Sequence, residues 1–216
     1  MGHLLRRKIY LNPTGKRYII YSMIVIFGGE KMFKRRFKAQ KVHKQIFRRL
    51  VHGIDRHKPY KILDAGSGRT SLSLILETYP MSHIDAVVYP GDLRKINSIK
   101  ESVPMGRYRL IEQDLCLGQI AQQYEIVVAH LLLGEAAKFG SSFTLLLDTV
   151  LLLHAEKLVI IDFLEDPDVE FDLILQHAQA YGYTVKCDHT IKGSEPFHCK
   201  RFVGWHYRGF LLETEK

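Results

Sequence analysis

The chain has 216 residues, 46% hydrophobic, 25% charged and 11% aromatic, a composition that excludes a disordered protein, while its three cysteines exclude a disulfide-dense scaffold. The net charge of +8 is uneven: residues 1–60 carry 16 Lys and Arg against Glu30 and Asp55, a net +14, and residues 61–216 a net −6. A basic arm on an acidic body points to a polyanionic partner without naming one.

Residues 1–29 predict an extended hairpin, with Lys8–Leu11 and Arg17–Phe27 joined by the turn Asn12-Pro13-Thr14-Gly15. The apolar run Ile19–Phe27 is about half the length that a membrane-spanning helix needs, so no transmembrane segment is expected. Residues 31–54 predict a basic helix with an apolar stripe at Val42, Ile46, Phe47, Leu50, Val51 and Ile54. If that stripe packs on the body, the opposite face is densely cationic, and Lys34, Arg35, Arg36, Lys38 and Lys41 become candidate nucleic-acid contacts. Phe33 and Phe37 could stack on unpaired bases.

Past Pro59 short apolar runs alternate with amphipathic stretches. Strands are expected at Lys61–Ala65, His83–Val88, Tyr108–Glu112, Glu125–Ala129 and Leu158–Phe163. Helices are expected near Ser71–Thr78, Asp92–Val103, Gly118–Gln123 and Phe143–Leu153. This alternation implies a parallel sheet with right-handed crossovers. The ending differs: after a helix over Asp168–Tyr181, Tyr183–Ile191 and Phe202–Leu212 have no helix between them and must pair antiparallel. The three cysteines, with no secretory signal ahead of them, predict a reduced cytoplasmic setting. Cys187, His189, His198 and Cys199 resemble a metal set, but adjacent His198 and Cys199 would point to opposite faces of a strand, so no metal site is expected.

The sharpest motif is Ile62-Leu63-Asp64-Ala65-Gly66-Ser67-Gly68, a buried strand running through two glycines into a helix. The glycines let the backbone turn tightly beside a ligand, at the carboxyl strand end where open α/β sheets bind. A dinucleotide fingerprint would want a third glycine at position 71, which is Ser. Asp85 has the distance expected of the ribose acid but sits early in its strand.

An acid two residues before the first glycine resembles the first motif of the class I S-adenosylmethionine-dependent methyltransferases. The resemblance covers residues 61–216 and includes the closing antiparallel hairpin. It implies a Rossmann-like, doubly wound α/β fold, a mostly parallel seven-stranded sheet, with the basic hairpin-and-helix extension over 1–58 and the cofactor domain over 59–216. It also implies that Asp64, Ala65, Gly66 and Gly68 lie against S-adenosyl-L-methionine, and that Asp114, with Leu115 beside it, receives the adenine amino group. The usual acid ending the second strand is replaced by Tyr89, with Asp92 displaced by about three residues, so either Asp92 reaches back around the Pro90-Gly91 turn or the ribose is held differently.

On the acceptor side the Asn/Asp-Pro-Pro-Tyr/Phe motif of amino-base methylation is absent, and Val128-Ala129-His130-Leu131 stands in its place. His130 is a candidate general base. Three readings follow: an RNA methyltransferase gripping RNA through residues 31–54, a small-molecule or protein methyltransferase whose arm is a lid or dimer element, and a non-catalytic cofactor-binding module.

Overall fold

The computed structural model describes residues 5–11, 17–23, 41–103, 106–117, 120, 122–192 and 206–214. The chain divides into two compact units, residues 1–37 and 38–216. In the first, β1 (Leu5–Leu11) and β2 (Arg17–Met23) form an antiparallel hairpin with Leu5 opposite Met23 and Leu11 opposite Arg17. The turn expected between them lies outside the described residues. The basic extension expected over 1–58 spans both units, because helix α1 (residues 41–50) belongs to the second. The expected start of that helix, over 31–40, again lies outside the described residues.

The second unit is built on a seven-stranded sheet. Its strands are β3 (Lys61–Ala65), β4 (His83–Val88), β5 (Tyr108–Glu112), β6 (Ile126–His130), β7 (Lys157–Phe163), β8 (Tyr183–Lys192) and β9 (His206–Thr214). Their order is β5-β4-β3-β6-β7-β9-β8. The first five are parallel, and β9 inserts antiparallel between β7 and β8. The order reverses at β3, so β3 and β6 border the switch point where such sheets open a crevice.

Alternation along the strands feeds two cores. On one face Ile62, Ile84, Val128 and Ile161 pack with α1, α2 (Arg69–Thr78) and α3 (Leu93–Ser102). On the other Leu63, Val127, Leu158 and Phe210 pack with α4 (Phe143–Leu151) and α5 (Phe171–Ala180). Ile46, Phe47 and Leu50 of α1 are at most 2% exposed. At roughly 1.5–3 kcal/mol per buried apolar side chain, this stripe is enough to hold α1 on the sheet.

Some local expectations change. The helix expected from Asp168 begins at Phe171 with Glu170 at its cap position, and Asp166 accepts from Asp168 N in a turn ahead of it. A 3-10 helix at Leu133–Phe139 follows β6 where sequence predicted no element. Of the helix expected over 118–123, the described residues are irregular. Asp85 is structural: buried on β4, it receives Arg109 on both oxygens at 2.9 and 2.7 Å and the Tyr124 hydroxyl at 2.7 Å. Among the described residues, no helix is long and apolar enough to cross a membrane.

Candidate cofactor slot and acceptor cleft

The turn after β3 is held from below. Asp64 is fully buried, and its Oδ2 accepts from the hydroxyls of Ser67 at 2.6 Å and Ser71 at 2.8 Å. Ser71, which replaces the third glycine of a dinucleotide motif, is therefore the clasp between the first turn of α2 and the end of β3. Ser67 N donates to Val87 O at 2.6 Å and ties the turn to β4. Among the described residues, Asp64 Oδ1 has no hydrogen-bond partner. Burial pushes this carboxyl up to about 7, against the two hydroxyl donors and the Lys95 charge that hold it down.

Gly66 has φ +69, and a Cβ there would sit 2.3 Å from Leu132 Cδ1. Both the backbone conformation and the close approach demand glycine. Gly68 caps α2, and a Cβ on it would meet nothing within 4 Å among the described residues.

Two cavities meet at this turn. The first is a narrow, mostly apolar slot of about 40 Å³ against β4 and the loop after β5, lined by Val87, Tyr89, Asp114, Leu115, Leu132 and Leu146 among others. A slot of this size admits a water, not a nucleoside. The second is a cleft of about 460 Å³ over the ends of β3, β6 and β7. Gly66 and Lys95 line both, so the slot is an inward extension of the cleft. Lys95 Nζ pairs with Glu135 Oε2 at 2.7 Å on the cleft side.

The site residues expected from sequence separate into groups. Gly66, Tyr89, Asp114 and Leu115 meet around the slot, and Gly68 and His130 line the cleft. Asp114 Oδ1 accepts from Cys116 N at 2.9 Å, which folds the loop beside the slot. Asp64 and Ala65 are buried beneath the turn and act on it from behind. Asp92 is the N-cap of α3, its carboxylate accepting from Lys95 N at 3.1 Å. Lys41 is on the exposed face of α1, while Lys34, Arg35, Arg36 and Lys38 lie outside the described residues.

Three further residues, Asp162, His43 and Tyr207, line the cleft. Asp162 is buried at the end of β7 and accepts from Leu133 N at 3.0 Å, Gly134 N at 3.2 Å and Phe163 N at 2.9 Å. Burial pushes it up to about 7, in opposition to those backbone donors. His43, from α1, is 1% exposed, and its Nδ1 lies 2.7 Å from His130 Nε2. Tyr207 of β9 packs edge-on against the His43 ring with centroids 4.7 Å apart. The signal for His43 was present: it shares the apolar stripe with Ile46, Phe47 and Leu50, a polar residue at a core position. Between β6 and the 3-10 helix, Leu131 is held at φ 53, a conformation costing about 1–3 kcal/mol in a non-glycine residue and concentrated at functional sites.

No protein-family model and no curated protein sequence matches the chain. Solved structures do. The magnesium protoporphyrin IX methyltransferase of Synechocystis PCC 6803, with bound S-adenosylmethionine, superposes with a TM-score of 0.62 at 14% identity, covering 88% of this chain and 87% of that one. The N-methyltransferase NodS of Bradyrhizobium japonicum WM9, in complex with S-adenosylhomocysteine, gives 0.60 at 10% identity over 82% and 87%. A candidate RNA methyltransferase from Pyrococcus horikoshii gives 0.56 at 14% identity over 81% and 82%. The fold is that of the class I S-adenosylmethionine-dependent methyltransferases, and these neighbours differ widely in the acceptors they are named for.

Proposed function

We propose that the chain transfers a methyl group from S-adenosylmethionine to an acceptor in the cleft. The observation that carries this is the Gly66 turn, where any side chain would collide with Leu132, standing between a nucleoside-side slot and an open cleft. The group supplies an electrophilic methyl when bound. Gly66 and Gly68 would lie along its methionine part, with Asp64 fixing their backbone from beneath. Asp114 would accept from the adenine amino group and Leu115 would pack beside the ring, the slot widening to admit it. For the ribose, Tyr89, Lys95 and Gln113 are among the polar residues lining the slot, while Asp92 accepts from Lys95 N at the start of α3.

For the acceptor we favour RNA. The outer face of α1 and the turn after it carry Lys41, Lys44, Arg48, Arg49 and His52 around a groove of about 380 Å³, while His43 on the inner face of the same helix lines the cleft. Lys44 also pairs with Glu77, and the Arg49 guanidinium donates to His189. Phosphates gripped on that face would give sequence-independent, salt-sensitive affinity. A small-molecule acceptor is the second reading, favoured by α1 forming one wall of the cleft, as a lid would.

The experiment is calorimetry of the full chain with S-adenosylhomocysteine, followed by tritiated methyl transfer to RNA transcripts at low and high salt. Transfer that falls with salt and with the Lys41→Glu, Arg48→Glu double variant supports RNA. RNA left unmethylated by a chain that binds S-adenosylhomocysteine favours the small acceptor. A full chain that binds neither S-adenosylhomocysteine nor S-adenosylmethionine overturns the proposal.

A further inference from the structure

The first turn of a helix carries partial positive charge, so acids stabilise it and cations destabilise it. The two helices whose starts form one lip of the cleft break this rule. α2 begins with Arg69, α3 carries Arg94 and Lys95 in its first turn, and neither first turn holds an acid. Asp92 at the N-cap offsets the charge on α3, whereas α2 has only Gly68 there. Lys95 pairs with Glu135. Among the described residues, the Arg69 and Arg94 guanidiniums have no hydrogen bond or ion pair. Ser98, one turn on from Arg94, lines the cleft with them. Helical hydroxyls elsewhere donate to the carbonyl four residues back, Thr78 to Leu74 O and Thr149 to Leu145 O. Ser98 makes no such bond to Arg94 O, and among the described residues its hydroxyl has no partner.

The carboxylates of the same cleft are committed elsewhere. Asp162 accepts from the backbone N–H groups of Leu133, Gly134 and Phe163, Asp166 accepts from Asp168 N, and Glu135 receives Lys95. Two guanidiniums and a hydroxyl therefore converge on one cavity with no protein anion to meet them. A guanidinium stays charged throughout the working pH range, and its planar fork of donors matches the oxygens of a phosphate. The cavity, about 460 Å³, is of a size that takes small-molecule ligands. No residue lining the α1 groove lines this cleft, so the lip is a second cationic locus.

We propose that Arg69 and Arg94, with the Ser98 hydroxyl, bind the phosphodiester flanking the nucleotide that enters the cleft. The assignment rests on the methyltransferase reading and deepens its RNA form. A nucleotide drawn out of its stack into a cavity brings its own phosphate to the rim, where these side chains stand. The two cationic loci then do different things. The α1 face holds the strand wherever its phosphates fall, with an affinity set by salt. The lip holds one phosphate at a fixed place, which sets how deeply the attached nucleotide reaches toward the methyl group, and methyl transfer depends on that distance. Arg69 and Arg94 move no proton; they position the acceptor. Their placement at helix starts, which weakens α2 and α3, is accounted for by this use.

The test uses the full chain carrying Lys41→Glu and Arg48→Glu, which weaken the α1 groove, saturated with S-adenosylhomocysteine and titrated by phosphorus NMR with inorganic phosphate or dimethyl phosphate. Both probes are expected to bind. Arg69→Gln and Arg94→Gln should each weaken both about tenfold, the loss of one charged hydrogen bond, and leave the calorimetric affinity for S-adenosylhomocysteine unchanged. Arg69→Lys, which keeps the charge without the fork, should fall between, and it keeps the test sound if a Gln variant fails to fold. The Gln variants should melt no lower than their parent, since each removes a cation from a first turn. Phosphate affinity that the Gln variants leave unchanged overturns the proposal. So does phosphate that displaces S-adenosylhomocysteine, which would give the arginines to the cofactor's carboxylate. Inorganic phosphate that binds where dimethyl phosphate does not overturns the strand assignment in favour of a small phosphorylated acceptor. Failure of the methyltransferase reading shows separately, as failure to bind S-adenosylhomocysteine.

Discussion

The slot and the cleft meet at one turn but are made differently. One side of the slot comes from strand ends, Val87 in β4 with Tyr89 just after it and Asp114 and Leu115 after β5, and the other from Leu132 after β6 and Leu146 of α4. The cleft draws His43 from α1, Gly68 from the turn, His130 from β6, Asp162 from β7 and Tyr207 from β9. The strand-end side of the slot reads out in sequence, because each of its residues lies in or just after a recognisable strand. A construction assembled from five distant segments can change its specificity by changing any one of them.

The largest expected effect that would break this contrast is at Gly66. A side chain there needs an unfavourable backbone conformation and displaces Leu132, together about 3 kcal/mol, so Gly66→Ala should weaken S-adenosylhomocysteine binding about a hundredfold by calorimetry. The imidazole spectrum of the cleft should survive. Asp114→Ala comes next: losing a hydrogen bond to a charged group costs about 1.5–3 kcal/mol, or roughly ten- to a hundredfold in affinity. Wild-type affinity in that variant would mean that adenine does not enter the slot.

Stability against pH separates the two regions further. Asp64 ionises in the unfolded chain near 3.8 but in the fold only at about 7. Its contribution is therefore full below about pH 4 and is lost as pH rises to about 7. His130 has the opposite sign: its folded value of about 4 lies below the ordinary 6.5, so its contribution is present above 6.5 and lost as pH falls toward 4. Melting temperatures of Asp64→Asn should fall less than wild type between pH 4 and 7, and those of His130→Gln should fall more. The smallest effect is expected at Lys95, whose charge helps hold the Asp64 carboxyl down. Lys95→Met should move the Asp64 step in the melting profile slightly to higher pH, and an unmoved step would disconnect the slot from the cleft.

The parallel strands were legible because each is a short apolar run between turn residues, and Tyr108–Glu112 is found where the pattern placed it. The Asp-x-Gly turn was legible because its conformation needs a specific residue. Asp92 was ambiguous, since an Asp ahead of a helix can face a ligand or cap the helix, and here its carboxylate bonds Lys95 N. The 3-10 helix at Leu133–Phe139 has too short a period to announce itself, and Asp162 anchors its start through Leu133 N and Gly134 N, a bond set by tertiary packing. His43 and His130 are separated by half a sheet's worth of chain, and nothing local to either predicts their meeting.

Tyr207 touching His43 also orders events in time. The contact joins the helix ahead of the sheet to β9, which lies between β7 and β8. As the chain is synthesised, the cofactor turn and its five parallel strands emerge complete while the cleft still lacks a wall. A nascent or truncated chain without β9 would hold the pieces of a nucleoside site and no chamber in which to use it, so chemistry waits for the final strand.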